Sequence, residues 1–155
     1  MKVLFLFGPI CSGKSTVDLG QQSIRITVSN VVKRLMQSED REVLQKSKHL
    51  DNIIADEIIE EISMISNFVD IVPQYIVIDG IRQYSIVKQI EQWITNSTNI
   101  QMEYVWLEVP TAERKRRFEA RKDPKDTLTF EEAEKRDNAL GLSELFSILK
   151  EQNKI

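Results

Sequence analysis

Eight residues near the start of the chain, Gly8-Pro9-Ile10-Cys11-Ser12-Gly13-Lys14-Ser15, constrain its fold more than any others. They fit the spacing G-x-x-x-x-G-K-[ST], a loop that cradles phosphate groups. Glycines at both ends allow a tight turn whose backbone N–H groups point inward at an anion. Lys14 supplies a mobile cation, and the Ser15 hydroxyl is a hard oxygen suited to Mg²⁺. The preceding run Lys2-Val3-Leu4-Phe5-Leu6-Phe7 is almost continuously apolar, as a buried parallel strand requires. The residues after Ser15 are polar and read as a short helix to about Gln22, so that bound phosphate would sit on a helix N-terminus. A chain with this opening is expected to be α/β.

Composition sets the remaining limits. A length of 155 residues suits a single domain spanning 1–155, with 41% hydrophobic and 29% charged residues. The net charge of −3 does not advertise a nucleic-acid binder, although it leaves room for a local basic groove. One Cys excludes an intramolecular disulfide, and one Cys with one His makes a poor zinc site. The opening apolar run is too short for a signal peptide or a membrane span, so the expectation is a cytoplasmic protein (host cytoplasm if viral) with no membrane partner.

Strands and helices alternate along the chain. Ile24-Arg25-Ile26-Thr27-Val28 reads as a second strand, with Ser29 as the N-cap of a helix from about Val31. Helical character then dominates from about Ser38 to Phe68, with Ile54, Ile58, Ile62 and Ile65 on one face, and Pro73 ends it. Tyr75-Ile76-Val77-Ile78 is a third strand, a helix runs from about Gln83 to Thr95, and Met102–Val109 is a fourth strand. Pro110 opens a helix to about Lys122, and Asp123–Leu128 is a loop. Thr129 and Glu132 form a capping box for a helix ending near Gly141, and Ser143–Gln152 is a last amphipathic segment. The pattern predicts a parallel sheet covered on both faces, with ligands beyond the carboxyl ends of its strands.

Asp79 lies at such an end, directly after four apolar residues, where a lone charge is costly. It reads either as a metal-site carboxylate facing the phosphate loop or as a cap for the next turn paired with Arg82. Arg82 suits bidentate capture of a phosphate, or a surface ion pair. Between Glu113 and Lys122 there are six basic residues, Arg114, Lys115, Arg116, Arg117, Arg121 and Lys122. Arg114, Arg117 and Arg121 share a helical face. Such a helix reads as a lid at about 112–138 that brings cations to a transferring phosphoryl group. Arg121 is the first catalytic candidate, then Arg117 and Arg136, with the others on the surface. Cys11 reads as an ordinary loop position, with thiolate chemistry as the alternative.

Taken together, Gly8–Thr16, Val77-Ile78-Asp79-Gly80-Ile81-Arg82, and Arg117-Phe118-Glu119-Ala120-Arg121 followed by Phe130-Glu131-Glu132 and Arg136-Asp137 resemble the P-loop nucleotide kinases. The resemblance, to nucleoside monophosphate kinases and dephospho-coenzyme A kinase-like proteins, covers residue 1 to about 145. It implies a three-layer fold with a parallel sheet of four or five strands and a helical Arg-rich lid. It implies ATP and Mg²⁺ as cofactors. Gly8, Pro9, Ile10, Cys11, Ser12, Gly13, Lys14, Ser15, Thr16 and Arg117 would bind ATP. Ser15 and Asp79 would hold the metal, Arg41 and Arg82 would meet the acceptor, and Lys14, Asp79, Arg121 and Arg136 would be catalytic.

The chain departs from that pattern in three places. The helix after the loop is short. Val28-Ser29-Asn30 carries no carboxylate where hydroxyl-phosphorylating members often have a base, leaving Asp79 or an inward Asp18 to serve. A fifth strand is not evident. The expected activity is therefore transfer of the γ-phosphate to a nucleotide-type acceptor, first a (deoxy)nucleoside monophosphate. The alternatives are a hydroxyl-directed kinase, such as a phage kinase of 5-hydroxymethyluracil in DNA (which makes DNA a partner) or a dephospho-coenzyme A kinase, and a nucleotide-binding switch.

Overall fold

A computed structural model describes residues 1–20, 22–38, 49–68, 70, 72–121 and 128–155. Arg41 and most of the expected loop at 123–128 lie outside these residues.

Four strands form one parallel sheet: β1 (Lys2–Phe7), β2 (Ser23–Thr27), β3 (Tyr75–Asp79) and β4 (Gln101–Trp106), in the spatial order β2-β3-β1-β4. The continuous apolar runs of β1 and β3 take the two central places, as strands buried on both faces must. The register sets Leu6 beside Asp79, and Asp79 beside Thr27. The expected α/β class and parallel sheet are present, with four strands among the described residues.

Six helices accompany the sheet among the described residues: α1 (Val28–Ser38), α2 (Leu50–Phe68), α3 (Tyr84–Ser97), α4 (Thr111–Ala120), α5 (Phe130–Ala139) and α6 (Leu142–Glu151). The period-2 alternation of the strands sends Val3, Phe5, Phe7, Ile76 and Ile78 to one face. There they pack with Ile54, Ile58 and Ile62 of α2, Ile86 and Ile90 of α3, and Leu145 and Leu149 of α6. Aromatic pairs continue this core into β4 and α6: Phe5 stacks on Tyr104 at 5.2 Å and Phe7 on Trp106 at 5.9 Å, and Trp106 meets Phe146 edge to face at 4.9 Å.

The opposite face carries Leu4, Leu6 and Val77, packed among the described residues by Val17, Leu19, Tyr75 and Leu107. The expected helix to Gln22 is replaced by a single 3-10 turn, Lys14–Thr16. The reason is local. Val17 and Leu19 both reach down to Leu4, Leu6 and Val77, and an i, i+2 pair shares a face only in extended backbone. Asp18 Oδ1 accepts the Gly20 N–H at 2.8 Å, an Asx turn that competes with helix. Asp18 is exposed in that turn rather than turned inward, which removes it as a candidate base.

Other boundaries move by a few residues. The helix expected from Val31 begins at Val28, because Val28 and Val31 are both buried and sit one turn apart. Ser29 is therefore an exposed first-turn residue and not the cap. Strand β4 stops at Trp106, with Leu107 N–H still donating to Phe7 O at 2.9 Å. Pro110 is the N-cap of α4 rather than its first residue. Thr129 caps α5 as expected, its Oγ1 accepting the Glu132 N–H at 3.2 Å, which is one of the two bonds of a capping box.

Candidate functional site

The phosphate loop, the end of β3 and the two helices α4 and α5 converge on one cavity of about 270 Å³. Its walls are Gly8, Ile10–Ser15, Asp79–Arg82, Arg121, Arg136 and Asp137. Four cationic side chains, Lys14, Arg82, Arg121 and Arg136, face two carboxylates, Asp79 and Asp137. The excess of positive charge in a partly enclosed cleft favours an anionic occupant.

The loop is held from inside. A Cβ on Gly8 would come within 2.5 Å of Ser12 Oγ and 3.2 Å of Leu107 O, so only glycine allows this close approach. Lys14 Nζ folds back and donates to Gly8 O at 2.7 Å and Pro9 O at 3.0 Å. Burial pushes the Lys14 ammonium below its ordinary range; Asp137 opposes this, Arg82 adds to it, and Asp79 and Cys11 oppose it more weakly. An incoming phosphate would supply the countercharge this lysine lacks. Ser15 and Thr16 are exposed at the mouth of the loop.

Asp79 is buried and pairs with Arg25, not with Arg82. Arg25 is a site residue that the sequence reading missed. Its Nη1 donates to Asp79 Oδ2 at 2.7 Å and to Lys14 O at 2.7 Å, and its Nη2 donates to Val17 O at 2.6 Å. In a continuous helix those two carbonyls would accept N–H groups from the next turn. Arg25 takes the place of the missing turn and ties it to the metal-site candidate. A lone Arg amid apolar residues in β2 was the available signal, since a strand-borne cation beside a buried Asp needs a partner. Thr27 Oγ1 stands 3.5 Å from the same Asp79 oxygen. Both contacts use Oδ2.

Arg82 Nε lies 3.0 Å from Asp137 Oδ1. Of the alternatives open for Arg82, the ion pair is therefore formed, but with a cavity carboxylate rather than at the surface.

The lid helices are docked on the loop. Phe118 and Phe130 meet edge to face at 5.8 Å and cover Ile10 and Cys11. Arg114, expected at the surface, is buried instead. It donates to Val109 O at 3.2 Å and Ile10 O at 3.3 Å, pairs with Glu134, and lies 5.4 Å from the Phe130 ring centre. Its work is to join loop, α4 and α5. Arg117 donates to Cys11 O at 3.3 Å and to Glu113 at 3.1 Å, at the outer side of the loop. The carboxyl of Glu113 is held down at about 2 by Arg116 first, with burial opposing and Arg117 assisting. Arg121 and Arg136 both reach the cavity. Cys11 is half-buried against the aromatic pair and lies beside a 3-10 turn rather than at a helix N-terminus.

A phosphate loop at the end of a central parallel strand, a carboxylate at the end of its neighbour and arginines from a helical pair define a nucleotide-binding P-loop domain of the kinase type. The chain belongs to the AAA domain family, whose model matches residues 4–138. Among solved structures it is similar in fold to a chain in the structure of the Pnkp1/Rnl/Hen1 RNA repair complex, with a TM-score of 0.57 and 18% identity. The likeness covers 94% of this chain and 45% of that one, so the chain spans under half the length of its structural neighbour. No curated protein matches it. Among the described residues, no helix is long and apolar enough to cross a membrane.

Proposed function

We propose that the protein is an ATP- and Mg²⁺-dependent phosphotransferase that moves the γ-phosphate to a nucleotide-type acceptor. The observation that carries this reading is the convergence of Lys14, Arg121, Arg136, Arg82 and Asp79 on one cavity. A switch needs a positioned water and slow hydrolysis; arginines from two lid helices suit transfer. Amides of the loop from Gly8 to Thr16 would hold the β- and γ-phosphates, with Lys14 leaving Gly8 O and Pro9 O to meet them. Arg121 and Arg136 would follow the charge on the transferred group, and Arg117 would flank the nucleotide. Arg82 would face the acceptor, and Arg41, which lies outside the described residues, would join it by the family resemblance alone.

The donor set suits Mg²⁺: the Ser15 hydroxyl and the Asp79 carboxylate are hard oxygens facing one cavity, and Mg²⁺ takes its other ligands from water and phosphate. When bound, Mg²⁺ would neutralise charge on the β- and γ-oxygens. Arg25 would hold Asp79 in place for it. A nucleoside monophosphate is the first acceptor of this class. The neighbour's place in an RNA repair complex supports a polynucleotide acceptor as the second reading, with DNA as a further form of it.

The test is transfer of labelled γ-phosphate from Mg²⁺-ATP to monophosphates and polynucleotides. Lys14→Ala is expected to abolish transfer while leaving the circular dichroism spectrum unchanged. Full activity in that variant would overturn the assignment.

A further inference from the structure

A phosphate loop draws part of its attraction for anions from the helix that follows it, whose aligned peptide dipoles leave positive charge at the N-terminus. In this chain that helix is reduced to a single 3-10 turn, Lys14–Thr16. Three residues sum to only a small dipole. Positive charge reaches the back of the loop from another part of the fold. Arg25, on strand β2, brings a full guanidinium charge to the turn, its Nη1 donating to Lys14 O at 2.7 Å and its Nη2 to Val17 O at 2.6 Å.

The register of the sheet aims this charge. Arg25 stands beside Val77 in the parallel pairing of β2 with β3, so it leaves the sheet on the face of Leu4, Leu6 and Val77. There it meets Lys14 O. The peptide that carries this oxygen also carries the Ser15 N–H, and because it is trans the two point in opposite directions. Ser15 lines the cavity. A charged donor on the oxygen polarises the peptide and strengthens the N–H at its other end. Asp79 Oδ2 accepts from the same Nη1 at 2.7 Å and holds the guanidinium in this place. The Arg25 side chain is 28% exposed, so solvent and salt screen its charge incompletely.

Resting on the kinase reading, we propose that Arg25 is a positioning residue for phosphate binding, whose guanidinium on Lys14 O supplies the loop amides with the positive end that the shortened helix lacks. It acts through the peptide between Lys14 and Ser15 and does not touch the nucleotide. The group it favours is a polyphosphate chain, so its effect is the same for any base and any acceptor. This role is separate from holding Asp79. The contact with Asp79 bears on the metal; the contact with Lys14 O bears on the phosphates even when no metal is bound.

The test measures binding of inorganic triphosphate and of ATP to the full chain in EDTA, by calorimetry, well below the melting midpoint of each variant. Without metal, Asp79 has no ligand role and the phosphates report on the loop. Arg25→Gln keeps a hydrogen-bond donor and removes the charge, while Arg25→Lys keeps the charge. Arg25→Gln is expected to weaken both ligands about 5- to 30-fold, with the loss shrinking as salt rises, and Arg25→Lys should recover most of the affinity. Should Arg25→Gln fail to fold, Asp79→Asn and the double variant Arg25→Gln/Asp79→Asn give the same comparison with no buried carboxylate left unpaired. A purely structural Arg25 lowers the melting temperature and leaves both dissociation constants unchanged; that result in either pair overturns the proposal and leaves the kinase reading standing. Equal weakening in Arg25→Gln and Arg25→Lys also overturns it, since affinity would then follow side-chain shape and not charge. If the wild-type protein binds neither triphosphate nor Mg²⁺-ATP, the kinase reading itself falls.

Discussion

At the scale of single residues, the site divides into side chains visible in a local motif and side chains defined only by distant partners. Lys14 and Ser15 are of the first kind, because loop geometry fixes their spacing. Arg25 is of the second, with contacts 11 and 54 positions away in the chain. Removing Arg25 leaves the buried Asp79 charge unpaired. Arg25→Ala is therefore expected to cost about 3 kcal/mol, read as a lower urea midpoint, while Arg25→Met with Asp79→Asn together should cost less than Arg25→Ala alone. Lys14 gives a pH signature. Its folded pKa lies below the ordinary 10.5, so the unfolded chain binds more protons between the two values. Stability should accordingly rise with pH across that window. Melting curves of wild type and Lys14→Met over the window should show the wild type gaining on the variant as pH rises, and a gap that does not change would refute the desolvation of Lys14.

Elements were legible where periodicity or capping chemistry is local. The strands β1 and β3, the isoleucine face of α2 and the Thr129 cap of α5 all follow from residues a few positions apart. The turn after the loop was not, because its extended form is decided by Val17 and Leu19 meeting a sheet face assembled from β1 and β3. Arg114 was misplaced for a similar reason: a basic face looks solvated until a second helix supplies Glu134 and Phe130. The junction of α5 and α6 carries its own prediction. Gly141→Ala adds a Cβ at positive φ and pushes on Arg82 O. It should destabilise by more than about 1 kcal/mol, and it should impair transfer beyond what the stability loss explains, since it moves Asp137 and Arg136 from the cavity. Activity assayed well below the melting midpoint separates the two effects.

For the molecule as a whole, binding and folding are coupled through the same cavity, because its walls come from the loop after β1, the end of β3, the C-cap of α4 and the last turn of α5. A ligand that binds only the assembled cavity raises stability by mass action. Mg²⁺-ATP at a hundredfold over its Kd should add about 2.7 kcal/mol, seen as a higher melting temperature. Lys14→Ala should abolish that shift, and a shift surviving in the variant would place the nucleotide elsewhere.

The sequence by itself determined the α/β class, a small parallel sheet, the phosphate loop and the arginine-rich run that follows the last strand. Those features rest on periodicity, turn chemistry and motif spacing, which act over a few residues. Only the tertiary structure decided the partners: Arg25 for Asp79, Asp137 for Arg82, Arg114 as the clamp of the lid. A charge that leaves water must find its counterpart wherever the fold brings one, and packing of the sheet and helices, not proximity in the chain, sets which one that is.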